Sequence, residues 1–151
     1  MISPFLLALQ VFFAFPTQGL ATKKGTGCGC FGYFYPCRNE TLRKHLADGI
    51  LSAWTSDENK PKYRCDLQSE SQEVLLNSQY YWTRNDSWAK LEHRRKGNFR
   101  YQTDQMLTDF LNESVEVWKD GSKFDAVKGR TYFGCQLTAN VKEKIVVCLF
   151  E

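Results

Sequence analysis

The feature that most constrains the fold of this chain is its set of cysteines. All six follow an apolar N-terminal stretch, and they are Cys28, Cys30, Cys37, Cys65, Cys135 and Cys148. An even number of cysteines in this context favours disulfides over zinc and allows 15 connectivities. If Cys37 and Cys148 pair, one bridge joins the two ends of the domain. The chain-entropy model assigns roughly 4.7 kcal/mol to a bridge that closes a loop of about 100 residues.

The N-terminal stretch has the composition of a secretory signal peptide. Residues 5–15 form an apolar core, Pro16 interrupts it, and Gly19-Leu20-Ala21 suits cleavage after Ala21. The alternative is a membrane anchor, but polar residues and Pro16 break the run of about 20 apolar residues that a span needs. The sequence therefore predicts a signal peptide at residues 1–21 and one secreted domain at residues 22–151, with no membrane partner.

One segment combines basic and aromatic side chains. The formal net charge is only +3, which excludes a strongly cationic protein but allows a local basic patch. Cationic groups neutralise phosphates and aromatic faces stack on unpaired bases, so residues 80–101 are a candidate surface for RNA or a protein partner. The alternative is a solvated charged loop between core strands. The basic residues of the segment are Arg84, Lys90, Arg94, Arg95, Lys96 and Arg100.

Short motifs add candidate modification sites but no metal site. Asn39, Asn85 and Asn112 each begin an Asn-x-Ser/Thr sequon, which can be glycosylated if exposed in a secreted protein. Cys28-Gly29-Cys30 is not a Cys-x-x-Cys pair, and no histidine stands at a zinc-ligand spacing. The sequence predicts no metal and no cofactor.

The periodicity predicts an α+β domain. Asn39 can cap a helix in which Leu42, Leu46, Ile50 and Trp54 recur every four residues. Beyond Pro61 the pattern changes to short alternating runs, with a further helical turn at 106–111, a hairpin turn at Asp120-Gly121 and a loop at 139–141. The predicted strands are 62–67, 73–77, 80–84, 99–103, 115–119, 123–127, 131–138 and 144–150.

The order of these features resembles a family of fungal effectors. A leader, the triplet Tyr35-Pro36-Cys37, one early helix, many strands and a late Cys148 are similar to the ribonuclease-like proteins associated with haustoria of powdery mildew fungi. The resemblance implies one helix on a twisted antiparallel sheet and a Cys37–Cys148 bridge. Cys65 and Cys135, each in a predicted strand, are a candidate cross-sheet pair, while Cys28 and Cys30 stay unassigned.

The same resemblance implies a function in a plant host. Such effectors are secreted, enter the host cell cytoplasm, bind a host protein or RNA to modulate immunity, and are recognised by resistance receptors as avirulence proteins. We expect the chain to act in this way as a monomer.

Catalysis is not expected. A ribonuclease needs a general acid, a general base and a cation at the phosphate. The positions where the resembling fold places these groups, 63–65 and 137–140, hold no histidine. The sequence therefore predicts a non-catalytic pseudoenzyme. Two alternatives stay open: a secreted ribonuclease that uses Glu92, His93 and Arg94 or Arg95, and an extracellular disulfide-linked binding module.

Overall fold

The computed structural model of the protein describes residues 28, 39–55, 59–77 and 87–151. The predicted signal peptide lies outside these residues, and no described helix is long and apolar enough to cross a membrane. The helices are α1 (Glu40–Leu51), α2 (Cys65–Leu76) and α3 (Asp104–Asp120), followed by a 3-10 turn (Lys123–Ala126). The strands are β1 (Lys62–Tyr63), β2 (Ala89–Lys96), β3 (Tyr132–Ala139) and β4 (Glu143–Phe150).

The strands form a mixed four-stranded sheet in the order β1-β3-β4-β2. β1 runs parallel to β3, and the other neighbours are antiparallel. The β3–β4 hairpin turns at Asn140, whose Oδ1 accepts hydrogen bonds from the amides of Lys142 (2.8 Å) and Glu143 (2.9 Å). This turn confirms the predicted loop at 139–141 and the two predicted strands beside it.

Helices cover both faces of the sheet. Along β4, Val146, Cys148 and Phe150 belong to the core under α1 and α3, whereas Val147 and Leu149 pack with Val74 of α2 on the opposite face. A strand buried on both faces is apolar throughout rather than alternating. The uninterrupted apolar run at the end of the sequence therefore reflects a three-layer arrangement.

Helix α1 forms as its sequence predicts. Asn39 caps it, with Oδ1 accepting from the amide of Leu42 at 3.2 Å. Leu42, Leu46 and Ile50 are buried against α3 and the sheet. Each buried aliphatic side chain contributes about 1.5–3 kcal/mol relative to exposure, so this stripe holds the helix in place.

Helix α2 packs unusually close to β3 because of Gly134. A β-carbon on Gly134 would lie 2.5 Å from the carbonyl carbon of Leu67 and 2.6 Å from the main-chain oxygen of Arg64. The Oγ of Ser71 donates to the Gly134 carbonyl oxygen at 2.8 Å across this contact. Only a residue without a side chain allows the first turns of α2 to approach the strand this closely.

Several predicted elements are wrong. The α+β class is confirmed, but in the described part of the chain three helices and a mixed sheet replace the predicted single helix on an antiparallel sheet. The predicted strands at 73–77 and 115–119 are helical, 123–127 is mostly the 3-10 turn, 99–103 is irregular, and 62–67 holds only β1 before α2 begins. Asp120-Gly121 ends α3 instead of forming a hairpin. The predicted strand at 80–84 lies outside the described residues.

The disulfides also differ from the predicted pairs. Cys148 pairs with Cys135, directly opposite it in the β3–β4 register, so a Cys37–Cys148 bridge is wrong. Cys65, the first residue of α2, pairs with Cys28, which excludes the predicted Cys65–Cys135 bridge. The predicted Cys65–Cys135 pair assumed that Cys65 lies in a strand, whereas it begins a helix, and the Cys37–Cys148 pair followed from the resemblance to the effector family. Cys30 and Cys37 lie outside the described residues.

Candidate partner-binding surface

The basic segment of the sequence contains an edge strand, not a loop. Side chains alternate between the two faces of a strand. In β2, His93 and Arg95 therefore point toward α3, whereas Lys90, Glu92 and Arg94 lie on the side of α2. The alternative interpretation of this segment as a solvated charged loop is therefore wrong for residues 89–96.

On the α3 side, one carboxylate joins the strand to the helix. The Oε1 of Glu113 lies 3.3 Å from Nε2 of His93, and its Oε2 accepts from Nη1 of Arg95 at 2.6 Å. The ring of His93 stacks on Phe110 with 5.4 Å between ring centres. His93 and Arg95 thus hold β2 against α3.

On the α2 side, the charges form a ladder. Glu92 accepts from Nζ of Lys90 at 3.0 Å, and Arg94 donates to Glu143 at 2.9 Å and to Glu92 at 3.4 Å. Burial acts to raise the pKa of Glu92, but the hydrogen bond and charge of Lys90, with the charge of Arg94, outweigh it and lower the pKa. Glu92 and His93 point to opposite faces, so the alternative catalytic set of Glu92, His93 and Arg94 does not converge.

The chain after β2 lies beside the β3–β4 turn. The amide of Gly97 donates to the carbonyl oxygen of Lys142 at 2.9 Å, and the amide of Phe99 donates to the carbonyl oxygen of Val141 at 2.8 Å. These bonds bring together two segments that are far apart in sequence. We call the exposed residues that these segments contribute the hairpin-end patch: Lys96, Arg100, Tyr101, Val141 and Lys142.

The hairpin-end patch combines charge with exposed apolar surface. Tyr101 is 84% exposed and Val141 is 55% exposed. Lys96, Arg100 and Lys142 are exposed and form no ion pair within the described part of the chain. By contrast, Lys90, Arg94 and Arg95 of the predicted basic set are all engaged by glutamates. Arg84 lies outside the described residues.

A buried lysine anchors this patch from below. Lys144 is only 3% exposed, and its Nζ donates to the Met106 carbonyl oxygen at 3.1 Å. The same Nζ lies 4.7 Å from the ring centre of Phe99. Burial, with the charge of Arg95, lowers the pKa of Lys144. Lys144 therefore fixes Phe99, two residues before Tyr101.

Sequence patterns identify only part of this surface. The segment 80–101 contains Lys96, Arg100 and Tyr101, but Val141 and Lys142 come from a distant turn. No local signal connects them, because the connection depends on the bond between Gly97 and Lys142. Lys144 follows Lys142 and Glu143 in the sequence, so no local pattern marks it as a buried residue.

The described sequons lie at helix positions. Asn39 uses Oδ1 to cap α1, and its Nδ2 donates to Asp104 at 3.0 Å. Asn112 is exposed on α3, with Oδ1 2.7 Å from Nε2 of His45. Asn85 lies outside the described residues, and glycosylation stays a prediction. Within the described ranges, no three His, Cys, Asp or Glu side chains converge in a way that could hold a metal ion.

A secreted protein of Ancylostoma shares this fold. Ancylostoma-secreted protein Ac-ASP-7 aligns with a TM-score of 0.58 and 15% identity over 83% of this chain and 73% of that chain. Manganese-bound Ac-ASP-7 aligns with a TM-score of 0.50 and 18% identity over 84% of this chain and 73% of that chain. At these identities the likeness shows the fold alone. No curated protein matches the chain in sequence.

The family model that matches is also one of secreted proteins. It covers residues 30–150, which is most of the chain, so the resemblance to powdery mildew effectors is wrong. The features that suggested it are a leader, a Tyr-x-Cys triplet and a late cysteine, and these are common to many secreted domains. The chain belongs to the family described as Ancylostoma-associated secreted protein related.

Proposed function

We propose that this protein is a secreted, non-enzymatic binding module that recognises an acidic segment of a partner protein through the hairpin-end patch. Membership of a family of secreted proteins and the two described disulfides support an extracellular role. The observation that carries the proposal is the set of three cations that form no ion pair with any described residue, Lys96, Arg100 and Lys142, beside the exposed Tyr101.

Charge complementarity indicates an acidic partner. The glutamates around the patch are committed elsewhere: Glu113 to Arg95, and Glu92 and Glu143 to Arg94. The patch therefore keeps a positive potential, which attracts acidic segments and speeds their association. Tyr101 adds an amphipathic ring of the kind that is enriched at protein interfaces.

The exposure of the aromatic residues favours a protein over RNA. Binding of single strands relies on several aromatic faces that stack on successive bases. Of the described aromatic residues in 80–101, Trp88 packs against the α2-side core and Phe99 lies under Lys144, so Tyr101 alone is exposed. One exposed ring with surrounding cations suits an interface better than a stacking platform.

A non-catalytic role is also part of the proposal. His93 is held between Glu113 and Phe110, where its contacts position β2 on α3. One structural neighbour is described as manganese-bound. Because the described residues gather no suitable trio of ligands, we do not extend a metal to this chain. The plant host and immune receptor followed from the powdery mildew resemblance and are not proposed.

An unbiased peptide selection tests this function. The secreted domain is immobilised and used to select from a library of random 12-residue peptides. We expect the selected peptides to be acidic with apolar residues interspersed, and to lose binding when Tyr101→Ala replaces the wild type. Selected peptides without net negative charge would overturn the proposal.

Two RNA measurements complete the test. Single-stranded RNA incubated with the protein should stay intact, and its binding should be weaker than that of the selected peptides at physiological salt. Metal-independent cleavage that disappears with His93→Ala would show that the protein is an enzyme. Tight RNA binding that falls steeply with salt and with Lys96→Gln/Arg100→Gln would replace the protein partner by a nucleic acid.

A further inference from the structure

A second group of basic side chains lies at the other end of the sheet. β3 begins there, with Lys62 of β1 paired to Tyr132, whereas the hairpin-end patch follows the last residue of β3. The segments that lead into the two strands enclose a cleft of about 340 Å³. It is lined by Asn59, Lys60, Lys62, Gly129, Arg130 and Thr131.

Among the described residues, the lining of this cleft contains three cations and no carboxylate. Lys60 and Lys62 are exposed and have no ion-pair partner among the residues that the structure describes. Glu151 accepts a hydrogen bond from the amide of Thr131 through its main-chain oxygen at 2.8 Å, and its side chain is bound to Arg64 at 2.5 Å. Like charges in one cleft repel each other, and a bound anion would relieve this repulsion.

Arg130 is held in place before any ligand binds. Its Nη1 donates to the Ser87 carbonyl oxygen at 2.6 Å. A guanidinium has five N–H donors, and among the described residues only this one hydrogen bond of the Arg130 guanidinium is formed, which leaves the other donors for a ligand. Ordering fewer groups on binding raises affinity.

The neighbouring Gly129 has no side chain that could narrow the cleft. Its φ is +82°, and a β-carbon built on it would meet no atom within 4 Å. The main chain therefore lies open to the cleft at this point. A ligand can approach the backbone beside Arg130 without meeting a side chain.

We infer that this cleft binds a tetrahedral oxyanion, a sulfate or phosphate ester carried on a unit as small as one sugar residue. Its volume lies at the lower end of the range for small-molecule pockets. Arginine and lysine are the side chains that supply charge-assisted hydrogen bonds to such oxygens. The site shares no residue with the hairpin-end patch and stands independently of the proposed partner protein.

Three matched sugars test the inference. Glucose 6-sulfate, glucose 6-phosphate and glucose are titrated into ¹⁵N-labelled secreted domain at constant ionic strength set with NaCl. We expect saturable amide shifts at Asn59, Lys60 and Lys62 and at 129–131 with at least one ester and none with glucose. The ester that binds more tightly identifies the source of the anion as sulfated or phosphorylated. No saturable shift with either ester would overturn the inference.

Substitutions then locate the site. Lys60→Gln and Lys62→Gln should each weaken ester binding about fivefold to tenfold, as expected for the loss of one charge-assisted contact. Lys119→Gln removes the same charge from α3, where the lysine pairs with Glu116, and should change the affinity less than twofold. Full affinity in the Lys60→Gln/Lys62→Gln double variant would contradict the assignment to this cleft.

Discussion

The ammonium group of Lys144 lies 4.7 Å from the centre of the Phe99 ring and donates a hydrogen bond to the first turn of α3. Lys144 is on β4, so this one buried cation joins the sheet, the helix and the segment that follows β2. A cation over a ring in a desolvated site is worth about 2 kcal/mol. The contact explains how an irregular segment can hold Arg100 and Tyr101 in a defined place.

The first prediction separates the support of the patch from its binding surface. Phe99→Leu keeps an apolar side chain but removes the ring, and should lower the free energy of unfolding by about 1–2 kcal/mol in urea titrations. Tyr101→Ala, at an exposed position, should change it by less than about 0.5 kcal/mol while still weakening peptide binding. Equal stability of Phe99→Leu and the wild type would show that the Lys144–Phe99 contact does not support this segment.

The second prediction concerns the close contact of α2 with β3. Gly134→Ala places a methyl group against main-chain atoms of α2, which cannot move aside as a side-chain tip can. We expect a loss of about 3 kcal/mol or more in urea unfolding, at the upper end of overpacking costs. Gly49→Ala is the matched control, since its β-carbon would meet only a side-chain atom of Val115 at 3.2 Å and Ala favours the helix. A Gly134→Ala variant as stable as Gly49→Ala would contradict the packing described.

The third prediction is a dependence of stability on acid pH. The pKa of Glu92 is lower in the folded protein than its ordinary value of 4.5, so the unfolded chain takes up a proton first as the pH falls. The stability that Glu92 contributes is therefore present above about pH 4.5 and is lost as the pH falls through the folded pKa. Urea midpoints measured from pH 6 to pH 3 should fall less steeply for Glu92→Gln than for the wild type.

The control for this pH series is Glu116→Gln. Glu116 is exposed on α3 and forms a single pair with Lys119. Its substitution should leave the acid limb of the curve parallel to that of the wild type. If the curve for Glu92→Gln were also parallel to that of the wild type, the ion pairs of Glu92 on β2 would not contribute to stability.

The fourth prediction fixes the connectivity of the cysteines. Digestion without reduction followed by mass spectrometry should yield linked peptides that contain Cys28 with Cys65 and Cys135 with Cys148. Both bridges should contribute about 3–4 kcal/mol in the chain-entropy model, since they join residues 37 and 13 positions apart. A linked peptide that contains Cys37 and Cys148 would contradict the register of β3 and β4.

Elements whose local signals agree with their surroundings can be predicted from the sequence. Helix α1 has both a capping Asn39 and an apolar stripe, and the β3–β4 hairpin has a strand-forming segment on each side of Asn140, the second of which ends in the apolar run 145–150. Helix α3 has the helical period as well. However, Val115 and Val117 flank the charged Glu116, and this alternation also fits a strand. The sequence pattern therefore predicts a helical turn at 106–111 and a separate strand at 115–119 where the structure has one helix.

Helix α2 and strand β2 cannot be predicted from the sequence, because neither has the apolar pattern typical of its structure. The buried face of α2 includes Gln68 and Ser71, because the close approach to Gly134 leaves room for hydrogen-bonding groups rather than a large apolar stripe. β2 is an edge strand with one fully buried apolar residue, Leu91. Its other residues are mostly charged, so the sequence shows no alternating strand pattern there. The hairpin-end patch cannot be predicted from local sequence patterns either, because contacts within the sheet bring Lys142 close to Lys96.

The most direct test of the proposed function is the affinity of one selected acidic peptide for two variants of equal net charge. Lys96→Gln/Arg100→Gln/Lys142→Gln removes the charge of the hairpin-end patch, and Lys44→Gln/Lys119→Gln/Lys123→Gln removes three charges elsewhere. We expect calorimetry to show at least tenfold weaker binding for the first variant and less than a twofold change for the second. Equal losses in both variants, or no loss in the first, would contradict recognition through this patch.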